Sequence, residues 1–163
     1  MSTETDALAK LFSEFPFSLN SQDVLRVAVD AKKDHVGSEH VLFGLEMIPD
    51  AEIQRIFTEL GIDIGQLIAL TSVYAENDPN SPETIDLFTP AILEAFAQAN
   101  IERQARGASE IEPADLILGM LSVKVGMGFI LLFMAQNGEQ PALETTDEAK
   151  SDMLTAVRNI LAG

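Results

Sequence analysis

The chain has 163 residues, of which 47% are hydrophobic and only 6% aromatic. It contains no cysteine, which excludes disulfides, thiolate zinc sites and cysteine nucleophiles. Its formal net charge of -16 argues against binding to a nucleic-acid backbone or to anionic lipid, because both are bound mainly through Lys and Arg. We therefore expect protein partners with basic or apolar contact surfaces, although solubility alone explains the charge equally well.

Residues 1–16 are predicted to form an N-terminal arm with a helical turn through residues 7–12, which Pro16 ends. The first residues are acidic and lack the basic region of a secretory signal. The most apolar run, residues 128–135, is far shorter than the ~20 residues that span a bilayer. We therefore expect a soluble, cytoplasmic protein.

Four helices are predicted between residues 17 and 76 from apolar stripes and from start and stop residues. The first has Asn20 as its N-cap, and the second begins at Ser38. The third ends at Gly61, and the fourth begins with Asp63 in a pattern like a capping box. The predicted ranges are 21–33, 38–47, 50–61 and 63–75.

The run from 76 to 83 holds two prolines and no large apolar residue, so residues 77–87 are predicted to be a linker. Thr89 and Pro90 then open a helix as N-cap and first helical residue, and Gly107 closes it. Later helices are predicted from about Pro113, over 125–137, and from about 146 or 147. Because no segment alternates apolar and polar residues as a strand would, we predict an all-α fold of about eight helices.

The two halves of the chain repeat one pattern. The repeated features are the motif before the first helix, the glycine-centred motif of the second helix, and the glycine after the third helix. They pair Phe17-Ser18 with Phe88-Thr89, Leu42-Phe43-Gly44-Leu45 with Ile117-Leu118-Gly119-Met120, and Gly61 with Gly138. The sequence therefore predicts two tandem four-helix repeats related by a pseudo-two-fold, repeat 1 over 17–76 and repeat 2 over 88–163. At Gly44 a second backbone is expected to approach closely.

The first repeat resembles a known family, the N-terminal repeat of the Clp chaperone-ATPases. That family has Phe-Thr before the first helix and Val-Gly-Thr-Glu-His-Leu-Leu-Leu-Gly-Leu on the second, matched here by Phe17-Ser18 and by VGSEHVLFGL over 36–45. The run IFTELGID over 56–63 resembles the end of the family's third helix. The second repeat keeps Phe88-Thr89 and Leu118-Gly119. It departs at the start of its second helix, where Glu112-Pro113-Ala114-Asp115 replaces Gly37-Ser38-Glu39-His40.

This resemblance covers residues 17–163 and implies a non-catalytic module that recognises substrates or adaptors for a Clp chaperone–protease. The implied partners are Clp ATPase or protease subunits, adaptor proteins and unfolded protein substrates, with no cofactor or metal. No glycine is followed directly by lysine, so these residues hold no phosphate loop, and an ATPase motor would have to lie beyond Gly163. Two alternatives stay open: a stand-alone regulator that docks on the Clp ring, and a small enzyme or ligand carrier with an apolar interior.

Some Clp N-domains bind phosphorylated arginine through the Thr before the first helix and the Glu of Gly-Thr-Glu-His. The resemblance carries these roles to Ser18 and Glu39. Thr89 matches the same threonine in the second repeat, where Ala114 replaces the glutamate. A carboxylate pairs with a guanidinium, while a hydroxyl and helix-terminal N–H groups hold phosphate. A purely structural cap is the alternative role of Ser18.

Glu39 and His40 also raise the possibility of acid–base chemistry. Two histidines without a third convergent partner make a poor catalytic or zinc site, so we expect Glu39 to favour the helix N-terminus and His40 to pack beside a neighbouring helix. The apolar run 127–134 is interpreted as a core helix buried on several sides. An exposed groove for a partner helix or an unfolded substrate is the alternative.

Overall fold

The computed structural model describes residues 3–32, 35–76, 87–123 and 127–163. Within these ranges the chain forms nine α-helices, one short 3-10 helix and no strand. The α-helices are α1 Thr3–Glu14, α2 Leu19–Ala31, α3 Ser38–Met47, α4 Ala51–Leu60, α5 Ile64–Glu76, α6 Pro90–Arg106, α7 Pro113–Ser122, α8 Gly128–Asn137 and α9 Thr146–Ala162. The prediction of an all-α fold is confirmed. The predicted linker over 77–87 lies almost wholly outside the described residues, and the domain boundaries stay predictions.

Helix α1 is the element that the sequence interpretation underestimated. It is a helix of 12 residues rather than a single turn in an arm. Leu11 is only 3% exposed, the Phe12 ring meets Phe17 edge-on at 5.8 Å between centroids, and the Arg26 guanidinium lies over the Phe12 ring. The apolar side of α1 therefore packs against the start of the first repeat, which stabilises a helix that is short on its own.

The N-cap of α2 also differs from the prediction. The Ser18 hydroxyl accepts a hydrogen bond from the Ser21 backbone N–H at 3.2 Å, so Ser18 is the cap and the helix begins at Leu19. Asn20, the predicted cap, lies in the first turn, where its side-chain amide donates to Asp50. The predicted helix ends and caps at Asp50, Gly61, Thr89, Gly107 and Gly138 are confirmed.

The two repeats share one core instead of forming two separate bodies. Helices α2 to α5 correspond to α6 to α9, and the packing crosses between the sets, since α4 contacts α9 and α5 contacts α8. Phe96 joins the halves, because its ring meets Phe17 at 5.6 Å and Phe88 at 5.8 Å, both edge-on. The third helix of each repeat is thus covered by the fourth helix of the other, as a pseudo-two-fold requires.

A glycine in each repeat lets two helices touch. A Cβ built on Gly44 would lie 2.4 Å from the Val24 carbonyl oxygen, and one built on Gly119 would lie 2.2 Å from the Ala95 carbonyl oxygen. Side chains do not tolerate such distances, so both positions need glycine for the close approach of α2 to α3 and of α6 to α7. The close approach expected at Gly44 is therefore confirmed, and the repeat extends it to Gly119.

Helix α8 is buried as the sequence predicted for its apolar run. Phe129, Leu131 and Leu132 are at most 4% exposed. In the described part of the chain no single helix is both long and apolar enough to cross a membrane; Ala51–Leu60 and Ile64–Val73 meet that test only as a pair bent by 102°.

Candidate binding site at the two repeat junctions

The segment before the first helix of each repeat pairs with the other repeat. Phe17 forms a β-bridge with Ile111, and Phe88 forms one with Val36. The Ser18 backbone N–H donates to the Ile111 carbonyl and the Thr89 N–H donates to the Val36 carbonyl, each at 3.0 Å. Each cap hydroxyl therefore lies at the start of the second helix of the opposite repeat. We call these contacts the Thr89 junction, with α3, and the Ser18 junction, with α7.

These hydrogen bonds between the repeats determine beside which helix start each candidate residue lies. The backbone of Thr89 joins the segment that leads into α3, whose second residue is Glu39. Ser18 joins the segment that leads into α7, and its neighbour Ser21 donates to the same Ile111 carbonyl at 2.7 Å. The backbone bonds thus place Thr89, and not Ser18, beside the segment that leads to Glu39, and they place Ser18 beside the segment that leads to Glu112. Binding of phosphoarginine by any of these residues stays a prediction.

At the Thr89 junction the Glu39 carboxylate fills the space that a side chain on residue 37 would take. A Cβ on Gly37 would lie 2.6 Å from Glu39 Oε1. The Glu39 side chain is 8% exposed, and Oε1 lies 3.2 Å from His40 Nδ1. The Gly37 N–H donates to that same Nδ1 at 3.0 Å, so the nitrogen acts as an acceptor. The Glu39–His40 contact is therefore not an ion pair in this arrangement, and no hydrogen bond to His40 offsets the charge of the carboxylate.

His40 has one further feature. With Nδ1 occupied as an acceptor, its proton lies on Nε2, and this buried nitrogen has no hydrogen-bond partner among the described residues. The imidazole caps the α3 N-terminus and fills space, which agrees with the expected packing role. Acid–base chemistry gains nothing from the arrangement, because Nε2 is enclosed.

The Ser18 junction carries a carboxylate from a different backbone position. Here Ala114 replaces Glu39, as the sequence shows, but Glu112 stands where repeat 1 has Gly37. Burial raises the pKa of Glu112 above its ordinary value, while a hydrogen bond with Ser18 opposes the rise and the charges of Asp50, Glu110 and Asp115 add to it. Sequence comparison missed Glu112 because it looked for the carboxylate only at position 114.

The two junctions therefore share one chemical composition, a cap hydroxyl and a carboxylate at the start of an opposing helix. Such a pair suits a cationic or guanidinium-bearing group, since the carboxylate can accept bidentate hydrogen bonds. Within the described ranges no cluster of three or more His, Asp or Glu side chains is arranged to hold a metal ion.

Comparison with known proteins identifies the family. The chain matches the Clp repeat N-terminal domain over residues 19–133. It belongs to that family. It is 35% identical, over 101 residues, to an ATP-dependent Clp protease ATP-binding subunit ClpA homolog of Trieres chinensis, covering 60% of this chain and 11% of that protein.

Two further proteins are similar to this chain, one in sequence and one in structure. A probable cytosol aminopeptidase of Desulforapulum autotrophicum is 32% identical over 102 residues, which cover 61% of this chain and 18% of that protein. The N-terminal domain of the chaperone ClpD from Arabidopsis thaliana superposes with a TM-score of 0.61 at 17% identity, over 91% of this chain and 96% of that one. The chain thus spans 11% and 18% of the two curated relatives, so neither whole activity transfers to it. The resemblance to the Clp N-terminal repeat is confirmed.

Proposed function

We propose that this chain recognises protein substrates or adaptors for a Clp chaperone–protease and performs no chemistry itself. The observation that carries the proposal is its membership of the Clp repeat family over residues 19–133. The relative named as the ATP-binding subunit of a Clp protease supports a place in that system. The net charge of -16 favours partners that present basic groups.

The Thr89 junction is the recognition site that we favour, with Glu39 as the group that pairs with the ligand. Its carboxylate is largely desolvated and receives no ion pair from His40 when Nδ1 accepts the Gly37 N–H. A guanidinium bound there meets a charge that little water screens, which strengthens the pair. In a phosphoarginine the phosphate would turn to the Thr89 hydroxyl, which already accepts the Ile92 N–H at 3.2 Å. Because Pro90 lacks an N–H, we propose that the guanidinium end supplies more of the affinity than the phosphate end.

The Ser18 junction should select differently. Glu112 is accompanied by Asp50, Glu110 and Asp115, so negative charge accumulates there. A phosphate is disfavoured in such surroundings, whereas an unmodified arginine or lysine side chain is not. We therefore assign phosphoarginine to the Thr89 junction and a plain cationic side chain to the Ser18 junction.

Titration with a short phosphoarginine peptide and its unphosphorylated arginine twin tests the site. Glu39→Gln keeps the shape of the side chain and removes its charge, so we expect at least about 10-fold weaker binding of both peptides. Glu94→Gln, an exposed position on α6, is the matched control and should leave the affinity unchanged. Equal affinities for wild type and both variants would remove Glu39 from the site.

Association with the Clp system needs a separate measurement. The full chain, immobilised, is exposed to a purified Clp ATPase, its protease subunit and a Clp adaptor, each alone. We expect saturable binding of at least one. If none binds, and none is recovered from a lysate of the source cells either, the proposed role in the Clp system is wrong.

A further inference from the structure

A groove between α6 and α9 has a lining that includes none of Ser18, Glu39, Thr89 and Glu112. It has a volume of about 420 Å³, is open to solvent on one side and is lined mostly by apolar side chains. Ile101 and Ala105 come from α6, Leu118 forms part of the lining from α7, and Leu161 and Ala162 come from the end of α9. We call it the α6–α9 groove.

The part of α6 that lines the groove is more exposed than the side of the helix that faces the core. Ile92, Ala95, Phe96 and Ala99 on the buried side of α6 are at most 1% exposed, whereas Ile101 is 53% exposed. Ala105 and Ala162 are exposed as well. The groove therefore leaves a branched aliphatic side chain and its neighbours in water, where burial by a partner would be favourable.

In the polar rim of the groove, the positively charged groups are more exposed to solvent than the negatively charged ones. Two ion pairs form it, Arg106 with Asp115 and Arg158 with Glu102. In both pairs the carboxylate is the buried member, since the Asp115 and Glu102 side chains are 0% and 13% exposed while those of Arg106 and Arg158 are 34% and 51% exposed. The solvent side of the rim thus presents guanidinium groups, on a chain whose net charge is -16.

We propose that the α6–α9 groove docks a short segment of a partner protein in which aliphatic side chains are flanked by carboxylates. The aliphatic groups cover Ile101 and Ala105, and the carboxylates meet guanidinium N–H donors that the internal pairs leave unused. A basic segment would instead face the exposed guanidiniums and is disfavoured. The volume of the groove lies in the range of ordinary ligand pockets, so the insertion is local and does not require a large interface.

This inference goes beyond the proposed Clp role, because the groove uses none of Ser18, Glu39 and Thr89. It requires only the folded chain, so its test needs no Clp subunit. A failure here leaves the titration at Glu39 untouched, and a failure of that titration leaves the groove untouched.

The experiment is a peptide selection on the whole chain. Random peptides of about 12 residues are first depleted on the Ile101→Asp variant and then selected on the wild type. We expect a consensus with two or more aliphatic residues beside Asp or Glu. A synthetic consensus peptide should bind at least about 10-fold more weakly to Ile101→Asp and to Arg158→Gln. Leu93→Asp, at a position 41% exposed on the same helix, and Arg26→Gln, in an exposed pair, are the controls that should bind as the wild type does.

Thermal unfolding of all four variants verifies that each is folded before its affinity is compared. Three results would overturn the proposal: no peptide enriched over the Ile101→Asp variant, a basic consensus, or a consensus peptide that binds the groove variants and the wild type equally. Sedimentation equilibrium tests whether a second copy of this chain occupies the groove. A dimer of the wild type that Ile101→Asp dissociates would show that the groove binds a second copy of this chain instead.

Discussion

The starts of α3 and α7 perform one structural task with different chemistry. In α3 the His40 imidazole accepts the N–H of Gly37, and in α7 the Asp115 carboxylate accepts the N–H of Glu112 at 2.9 Å. The imidazole is neutral in this role, whereas the fully buried carboxylate requires a counter-ion, which Arg106 provides. Helix α6 has 17 residues and α2 has 13, and Arg106 lies in the additional turn of α6. The length difference between the repeats thus supplies the charge that the second cap requires.

The same two helix starts differ in where their second carboxylate originates. In repeat 1 it is Glu39, which folds back over Gly37; in repeat 2 it is Glu112, at the position equivalent to Gly37. Each repeat thus keeps a carboxylate near a cap hydroxyl, although the carboxylate comes from a different backbone position in each. It also leaves the two junctions with different surroundings, acidic at Ser18 and less so at Thr89.

The largest loss of stability is expected from substitution of the glycine that lets two helices pack closely in each repeat. Gly119→Ala and Gly44→Ala each place a Cβ against a backbone carbonyl that cannot move aside, so we expect each to lower the free energy of unfolding by about 3 kcal/mol. Urea denaturation measures it. Gly65→Ala is the control, because its Cβ would meet only the Asp63 carboxylate at 3.4 Å, and it should change stability by less than about 1 kcal/mol. A tolerated Gly119→Ala would show that α6 and α7 are less tightly apposed than described.

A smaller effect separates the two caps. Asp115→Ala removes the buried acceptor of the Glu112 N–H and leaves Arg106 without its partner, so we expect a loss of about 2 kcal/mol in the free energy of unfolding. His40→Ala removes only an acceptor and some packing, with an expected loss of about 1 kcal/mol.

A double variant sharpens this comparison. Arg106→Ala in the Asp115→Ala background should cost little more than Asp115→Ala alone, because the pair is already broken. No such coupling is expected between Arg106→Ala and His40→Ala. If Asp115→Ala and His40→Ala prove equally costly, the counter-ion adds nothing to the second cap.

Much of the fold could be predicted from the sequence, because its signals are local. Thr89-Pro90, Gly61 and Gly138 mark helix ends through their own backbone preferences, and the glycine motif around Gly44 reveals the repeat. The length of helix α1 was underestimated because a short helix depends on tertiary contacts, such as those of Leu11 and Phe12. Asn20 was a plausible cap by residue type, and only the backbone geometry of Ser18 decides between them.

The candidate site was only partly predictable, because its partners cross between repeats. Ser18 and Glu39 were predicted as one pocket, with Thr89 as the counterpart of Ser18 in the second repeat, and sequence order gave no reason to join Thr89 to α3. Glu112 was overlooked for the same reason, since alignment compares positions, whereas the side chain of Glu39 reaches back over residue 37. The packing of the two repeats against each other decides which carboxylate lies beside which hydroxyl, and neither repeat alone determines it.

The smallest change in stability is expected at a third pair of equivalent positions, Glu46 in repeat 1 and Leu121 in repeat 2. Burial raises the pKa of Glu46 to about 7, although a hydrogen bond with Thr71 opposes the rise. The folded chain therefore holds this proton more tightly than the unfolded chain, whose carboxyl has the ordinary value of 4.5. The resulting stabilisation is present below pH ~4.5 and is lost as the pH rises through about 7.

Replacing Glu46 by the residue of the other repeat isolates this effect. Relative to wild type, Glu46→Leu should gain about 1 kcal/mol in the free energy of unfolding between pH ~5 and pH ~8, a value reduced from the full linkage because Glu46 is partly open to solvent. Glu46→Gln, which cannot ionise, should show the same pH-dependent gain without the added apolar burial. The raised pKa of Glu112 contributes equally to all three proteins and cancels in the differences. Parallel curves of stability against pH for the three proteins would show that Glu46 ionises in the folded chain as it does in the unfolded one.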